Sequence, residues 1–285
     1  MPEFYLPLSL VDDLIRAAIE EDLGAGDLTT LATVGPHVVG EGEIVAREAG
    51  IVAGLPVAAR VFHVVEPALR FEAAVRDSDH VAAGAQVARV VGPVRGILSA
   101  ERVALNFLQH LSGIASRTGR FVELVAGSGV RILDTRKTIP GMRLLAKYAV
   151  RCGGGANHRF GLSDGILIKD NHIAAAGSVT TAVQRARRFA PHLARIEVEA
   201  ERLAQVEEAL AAGAEAILLD NMPLDRLREA VALCRGRALT EASGGITEEN
   251  VRAVAETGVD FISIGALTHS SRALDLSLEL RLVGP

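Results

Sequence analysis

From residue 130 to 265 the chain repeats one unit, a short apolar run that ends in a polar cluster and is followed by an amphipathic stretch. The runs are VRILDT (130–135), GILIKD (165–170), RIEVE (195–199), EAILLD (215–220), ALTEA (238–242) and FISIG (261–265). Strands that alternate with helices pair in parallel, because each helix carries the chain back to the edge where the strand began. The run ends at Glu199, Asp220, Glu241 and Gly265 lie 21, 21 and 24 residues apart. So compact a period suits a closed (β/α) barrel at least as well as an open sheet, although six runs fall short of the eight of a complete barrel. In such barrels the chemistry sits at the carboxyl ends of the strands. Asp134, Lys169, Glu199, Asp220 and Gly265 occupy those ends.

The first part of the chain has a different texture. Leu10, Val11, Leu14, Ile15, Ala18, Ile19 and Leu23 fall three or four apart, which predicts a helix with one buried face, capped by Ser9 and stopped at Gly24. Between residues 40 and 98, Val-rich pieces broken by Gly and Pro predict strands. Ser99 is placed to cap a long helix whose stripe is Val103, Phe107, Leu111, Ile114, Thr118, Phe121 and Val125. This helix is expected to link two domains, residues 1–115 and 116–285, with the extreme C-terminus packing back on the first.

Composition removes several classes of function. A net charge of -5 and ten aromatic residues lack the basic footprint and stacking groups of a nucleic-acid binder. Cys152 and Cys234 have neither disulfide-scaffold nor zinc-site spacing. The N-terminus carries Glu3, Asp12 and Asp13 before its first cation, Arg16, the wrong order for a secretory signal. No apolar run is long enough to span a bilayer. The expectation is a cytoplasmic protein with no membrane or nucleic-acid partner.

Charge is distributed unevenly. Residues 131–172 hold eight Lys or Arg against Asp134, Asp164 and Asp170, a local +5 in an acidic chain. Such a pocket draws in a small, multiply anionic ligand. Arg143, Lys147 and Arg151 read as a solvated helix face, whereas Arg136, Lys137 and Lys169 sit at strand ends. Only three of the 30 basic residues are Lys, and all three fall in this segment, as a site needing a compact ammonium requires. Gly153, Gly154 and Gly155 precede Asn157-His158-Arg159, and a helix end needs only one glycine, so the others suggest close approach to a ligand. Ser243-Gly244-Gly245 before Thr247-Glu248-Glu249-Asn250, and Gly265-Ala266, are glycine turns that feed helix starts and suit a phosphate. Glu199 and Asp220 end adjacent runs and suit Mg²⁺ or sugar hydroxyls. No HExxH motif, P-loop or dinucleotide fingerprint is present.

The stretch LDTRKTIPGMRLLAKYAVRCGGGANHRFGLSDGILIKDNHI (133–173) closely resembles the signature of the quinolinate phosphoribosyltransferase family, as do EEDLGAGDLTT, REAGIVAG, SAERVALNFLQHLSGIAS, LLDN, EASGGI and SIGALTHS elsewhere. The resemblance implies an N-terminal α/β open sandwich domain, a C-terminal incomplete (β/α) barrel of about seven parallel strands, and a homodimer or larger homo-oligomer. It implies transfer of phosphoribose from phosphoribosyl pyrophosphate to quinolinate, with Mg²⁺ and loss of CO₂. By the same motifs, Thr135, Arg136, Lys137, His158, Arg159 and Lys169 would hold carboxylates and phosphates. Lys137, Lys169, Glu199 and Asp220 would be catalytic, with Glu199 and Asp220 at ribose or metal. Ser243, Gly244, Gly245, Ile264, Gly265 and Ala266 would cradle the 5-phosphate, and Arg102 would reach a neighbouring subunit's pocket. Three rival readings are a transferase for nicotinate, a barrel that only senses a phosphorylated ligand, and a biotinyl-type carrier suggested by DSDHVAAGAQVARVVGPVRG. The last lacks an acceptor amine, since no Lys precedes Lys137.

Overall fold

A computed structural model describes residues 6–282; Glu3 and the start of the acidic N-terminus lie outside the described residues. In chain order the elements are α1 (Asp12–Leu23), α2 (Leu28–Thr33), β1 (Val39–Ala46), β2 (Gly50–Ile51), α3 (Leu55–Val65), β3 (Arg70–Ala73), β4 (His80–Val81), β5 (Gln86–Pro93) and α4 (Val94–Leu124). There follow β6 (Arg131–Leu133), α5 (Arg143–Cys152), β7 (Ile166–Ile168), α6 (Asp170–Ala176), α7 (Val179–Phe189), β8 (Ile196–Ala200) and α8 (Leu203–Ala212). The last are β9 (Ala216–Asp220), α9 (Leu224–Cys234), β10 (Leu239–Ser243), α10 (Val251–Ala255), β11 (Phe261–Ser263), α11 (Ala266–His269) and β12 (Leu276–Leu282). They form two compact units that interleave in sequence. One holds the chain up to Gly119, Ile139–Gly154 and the chain from Thr268; the other holds Arg120–Thr138 and Gly155–Leu267.

The first unit is built on an antiparallel sheet in the order β12-β1-β5-β3. β12 pairs with β1 from Gly40↔Leu282 to Ala46↔Leu276. β1 alternates exposed and buried positions, with Ile44 and Ala46 inside, the period-two pattern of a sheet with one wet face. Three expectations need correction here. Residues 40–98 are not all strand, because Leu55, Val57, Ala58, Val61 and Phe62 bury one helical face of α3 and Pro56 takes a first-turn position that needs no N–H. Ser9 lies in a 3₁₀ turn, and α1 begins at Asp12 without a side-chain cap. Ser99 lies inside α4, five residues past its start, and its hydroxyl donates to Asp27 at 3.3 Å. The α4 stripe from Val103 to Val125 is buried throughout, and the boundary between units falls within this helix.

A buried carboxylate joins two helices of this unit. Asp77 accepts the Gly54 and Leu55 amides at the start of α3 at 2.9 and 3.1 Å, and the Tyr148 hydroxyl of α5 at 2.6 Å. Burial outweighs these donors and holds the Asp77 carboxyl above its ordinary range.

The second unit carries the repeating elements. All six predicted strands form, as one parallel sheet in the order β6-β11-β10-β9-β8-β7. Among the described residues a seventh position exists only as Ala156, which makes a parallel bridge to Leu133 beyond the β6 edge. The barrel is therefore incomplete, open between Ala156 and β7. Its inward residues are partly polar: Arg131, His158, Arg159, Glu197 and Glu241, with Leu133, Ala216, Leu239 and Phe261, line a cavity of about 280 Å³ near the amino ends of the strands. Among the described residues no helix is long and apolar enough to cross a membrane.

Asp77→Ala removes the acceptor for three buried donors and should cost about 2–4 kcal/mol in denaturant unfolding. Asp77→Asn, which keeps one carbonyl acceptor, should cost less. Equal stability of Asp77→Ala and the parent would refute the link between α3 and α5.

Candidate active site

The strand ends set the geometry. Lys169 follows β7; its backbone N–H donates to His172 Nδ1 at 2.9 Å, and its ammonium pairs with Glu199 of the neighbouring β8. Asp220 closes β9 and accepts the Asn221 side-chain amide at 2.8 Å. Asn221 has φ +53°, a left-handed conformation that Asn tolerates better than other side chains. Its backbone N–H donates to the Ser243 carbonyl at 2.9 Å. A Cβ at Gly244 would lie 2.1 Å from Asn221 Oδ1, and Gly244 has φ +92°. Conformation and space both require glycine there, and the acid of β9 is interlocked with the turn after β10.

A second cluster lies inside the barrel. Asp134, fully buried, accepts the Asn157 side-chain amide at 2.6 Å and the His158 N–H at 2.9 Å. His158 Nδ1 accepts the Arg159 N–H at 2.7 Å. Its other nitrogen, Nε2, is then the protonated one, and it lies 3.2 Å from Glu197 and 3.5 Å from Glu241. The three donor atoms are all within 4.8 Å, a spacing open to a metal ion. The tautomer argues against one, because a metal-bound imidazole gives its second N–H to an acceptor, whereas Nδ1 here faces a donor. Burial first, and the Glu197 charge second, push the Glu241 carboxyl up to about 7 against the opposing pull of His158. Arg159 Nη1 donates to the Gly165 carbonyl at 2.9 Å. Desolvation lowers the pKa of this guanidinium, and the nearby Arg136 charge lowers it further while Glu197 opposes.

Of the residues predicted from sequence, Thr135, Arg136, Lys137, His158, Arg159, Lys169, Glu199, Asp220, Ser243, Gly244, Gly245, Ile264, Gly265 and Ala266 all belong to this one unit. Thr135 uses its hydroxyl to accept the Lys137 N–H at 3.0 Å. Ile264 is buried, and its N–H is committed to the Leu133 carbonyl. Arg102 is exposed on α4 in the other unit. The eight cations of 131–172 are divided between the two units. Arg143, Lys147 and Arg151 belong with α5 in the first unit, Lys147 is buried rather than solvated, and Arg131 begins its strand, at the end away from Lys137. Gly153 meets helix α4 rather than a ligand, since a Cβ there would lie 2.3 Å from the Ala115 carbonyl. The helix after Gly245 starts at Val251, later than Thr247 suggests. Sequence reasoning missed Glu197 and Glu241 as a pair; the signal available was period two, which puts Glu197 on the same strand face as Glu199.

Comparison with known proteins gives a consistent result. The family model described as "Quinolinate phosphoribosyl transferase, N-terminal domain" matches residues 27–112, and "Quinolinate phosphoribosyl transferase, C-terminal domain" matches residues 114–279. A probable nicotinate-nucleotide pyrophosphorylase (carboxylating) of Bacillus subtilis is 47% identical over 262 residues, 92% of this chain and 90% of that protein. Quinolinate phosphoribosyltransferase (decarboxylating) 1b of Nicotiana tabacum is 43% identical, over 94% of this chain and 81% of that protein. The crystal structure of NadC from Streptococcus pyogenes is similar with a TM-score of 0.96 at 44% identity, covering 99% of this chain and 100% of that one.

The folded state binds the Glu241 proton more tightly than the unfolded chain, where the ordinary value is 4.5. Stability should therefore fall as pH rises from about 4.5 through 7, the raised-carboxyl case of linkage. In Glu241→Gln that part of the decline should vanish from denaturant midpoints measured between about pH 5 and 8. An identical slope in the variant would contradict the assignment.

Proposed function

This chain belongs to the quinolinate phosphoribosyltransferase family, and we propose that the strand ends of its parallel sheet run the reaction mainly by electrostatic positioning. The reaction joins quinolinate to phosphoribosyl pyrophosphate and yields nicotinate mononucleotide, pyrophosphate and CO₂ in NAD biosynthesis. The ribose C1–O bond breaks with its electron pair departing on pyrophosphate, and the pyridine nitrogen lone pair forms the C1–N bond. The positive nitrogen then accepts charge as the bond from C2 to its carboxylate breaks; CO₂ leaves, and a proton from solvent ends on C2. None of these steps demands a strong general base.

What they demand is that two polyanions share one site. Arg136 and Arg159 take the pyridine carboxylates, for which planar guanidinium forks are suited. Lys137 and Lys169 meet phosphate oxygens as compact charges. Glu199 and Asp220 take ribose hydroxyls, and Ser243, Gly244, Gly245, Gly265 and Ala266 present backbone amides to the 5-phosphate. α10 and α11 have five and four residues, so individual amides rather than a helix dipole do this work. Thr135 orders the turn at Lys137, and Ile264 seats the last strand. The donor set suits Mg²⁺, which takes one or two carboxylates together with substrate phosphates. Asp220 would hold it, with Glu199 beside. When bound, Mg²⁺ neutralises charge on the departing pyrophosphate.

The observation that carries this reading is the pair of neighbouring guanidiniums, Arg136 and Arg159, on the same unit as the Lys169–Glu199 pair. We place the protein in the cytoplasm, a reducing compartment suited to its two buried free cysteines. We assign it a homodimer, or a larger homo-oligomer, in which Arg102 enters the partner's pocket.

The enzyme should release CO₂ and pyrophosphate in equal amounts from quinolinate. Turnover of nicotinate without CO₂ in its place would overturn the substrate. Lys137→Ala or Arg159→Ala should lower kcat/KM at least about tenfold, or about 1.4 kcal/mol. Mixing inactive Arg102→Ala and Lys137→Ala chains should restore about a quarter of parental activity, because half the dimers carry one intact site. No recovery from a mixture shown to exchange subunits would contradict the shared site.

A further inference from the structure

The reaction as written leaves two buried glutamates without a task. Glu197 and Glu241 lie in the barrel interior with side chains 14% and 4% exposed, and both face His158 Nε2. Buried acids are costly unless they are paired, so their presence here needs a reason. A run of polar contacts connects the barrel interior to Arg159. The two carboxylates lie 3.2 and 3.5 Å from Nε2, Nδ1 accepts from the Arg159 N–H, and the Arg159 guanidinium donates to the Gly165 carbonyl. Asp134 accepts from the Asn157 side-chain amide and from the His158 N–H.

We propose that Glu197 and Glu241 are positioning residues for quinolinate, acting through His158 to fix the backbone that carries Arg159. They orient the ring so that Nδ1 is an acceptor, and this sets the backbone of Arg159 relative to Arg136. His158 on this account is a neutral post between these acids and the anchor, neither a substrate cation nor a metal ligand. The proposal rests on the reading of Arg159 as a carboxylate anchor.

The test compares Glu241→Leu, which removes the acceptor, with Glu241→Gln, which keeps an acceptor oxygen in place. Glu241→Leu should raise the KM for quinolinate about tenfold or more while the KM for phosphoribosyl pyrophosphate stays within about threefold. Glu241→Gln should stay within about threefold for both. Arg159→Ala serves as the control for the underlying reading: if it leaves the quinolinate KM unchanged, the anchor assignment fails. If it raises that KM and Glu241→Leu does not, the positioning role fails. Equal rises in both KM values, or a lower melting temperature with unchanged KM, would show a purely structural role and overturn the proposal. A second readout covers a Glu241→Leu chain that does not fold. In ¹⁵N-histidine spectra of the parent and Glu241→Gln enzymes, with His158 identified by its loss in His158→Gln, the ring should be neutral and protonated on Nε2. A proton on Nδ1, or displacement of these signals by Zn²⁺ added to metal-free enzyme, would refute it.

Discussion

A charge taken out of water into a barrel must meet an opposite charge or a set of hydrogen-bond donors, and that constraint shapes the second unit of this protein. Most small barrels fill their interior with branched apolar side chains. This one lines its interior with Arg131, Arg159, His158, Glu197 and Glu241, and pairs Lys169 with Glu199 at the strand ends. Each acid has a cationic or N–H-bearing neighbour. His158 lies between Glu197 and Glu241 on one side of its ring and the Arg159 N–H on the other.

The chemistry asks for such an interior. Two reactants that repel each other gain little from one strong base and much from fixed charges that need no reorganisation during the reaction. Fixed cations repel each other as well, and desolvation already lowers the pKa of Arg159. The Glu197 carboxylate opposes that shift. The price is a proton held at Glu241, and with it a stability that declines as pH rises.

Much of this was legible in the residues. Period two and the recurring βα unit gave all six strands, and the αα-type stripe from Val103 to Val125 gave the core face of α4. The strand-end rule put Lys169, Glu199 and Asp220 in one unit. What was not legible depended on chain returns. α5 carries three of the cations into the other unit, and no local pattern announces that. Gly153 looked like a ligand approach and is a helix–helix contact, since a missing Cβ does not say which backbone it admits. α3 was hidden by its valines, whose strand preference gave way to burial of one helical face. Glu197 and Glu241 come together only because β8 and β10 flank β9 and both turn inward. Ser99 and Ser9 show that a good capping residue does not fix a helix start when the preceding segment can extend or replace it.

The central claim is that Arg136 and Arg159 form the carboxylate-binding part of a shared anion site on the parallel unit. The most direct measurement is a crystal structure of the enzyme with quinolinate. The account predicts one carboxylate on each guanidinium, with the ring nitrogen turned toward the strand ends at Glu199 and Asp220. Quinolinate bound away from both arginines would contradict it.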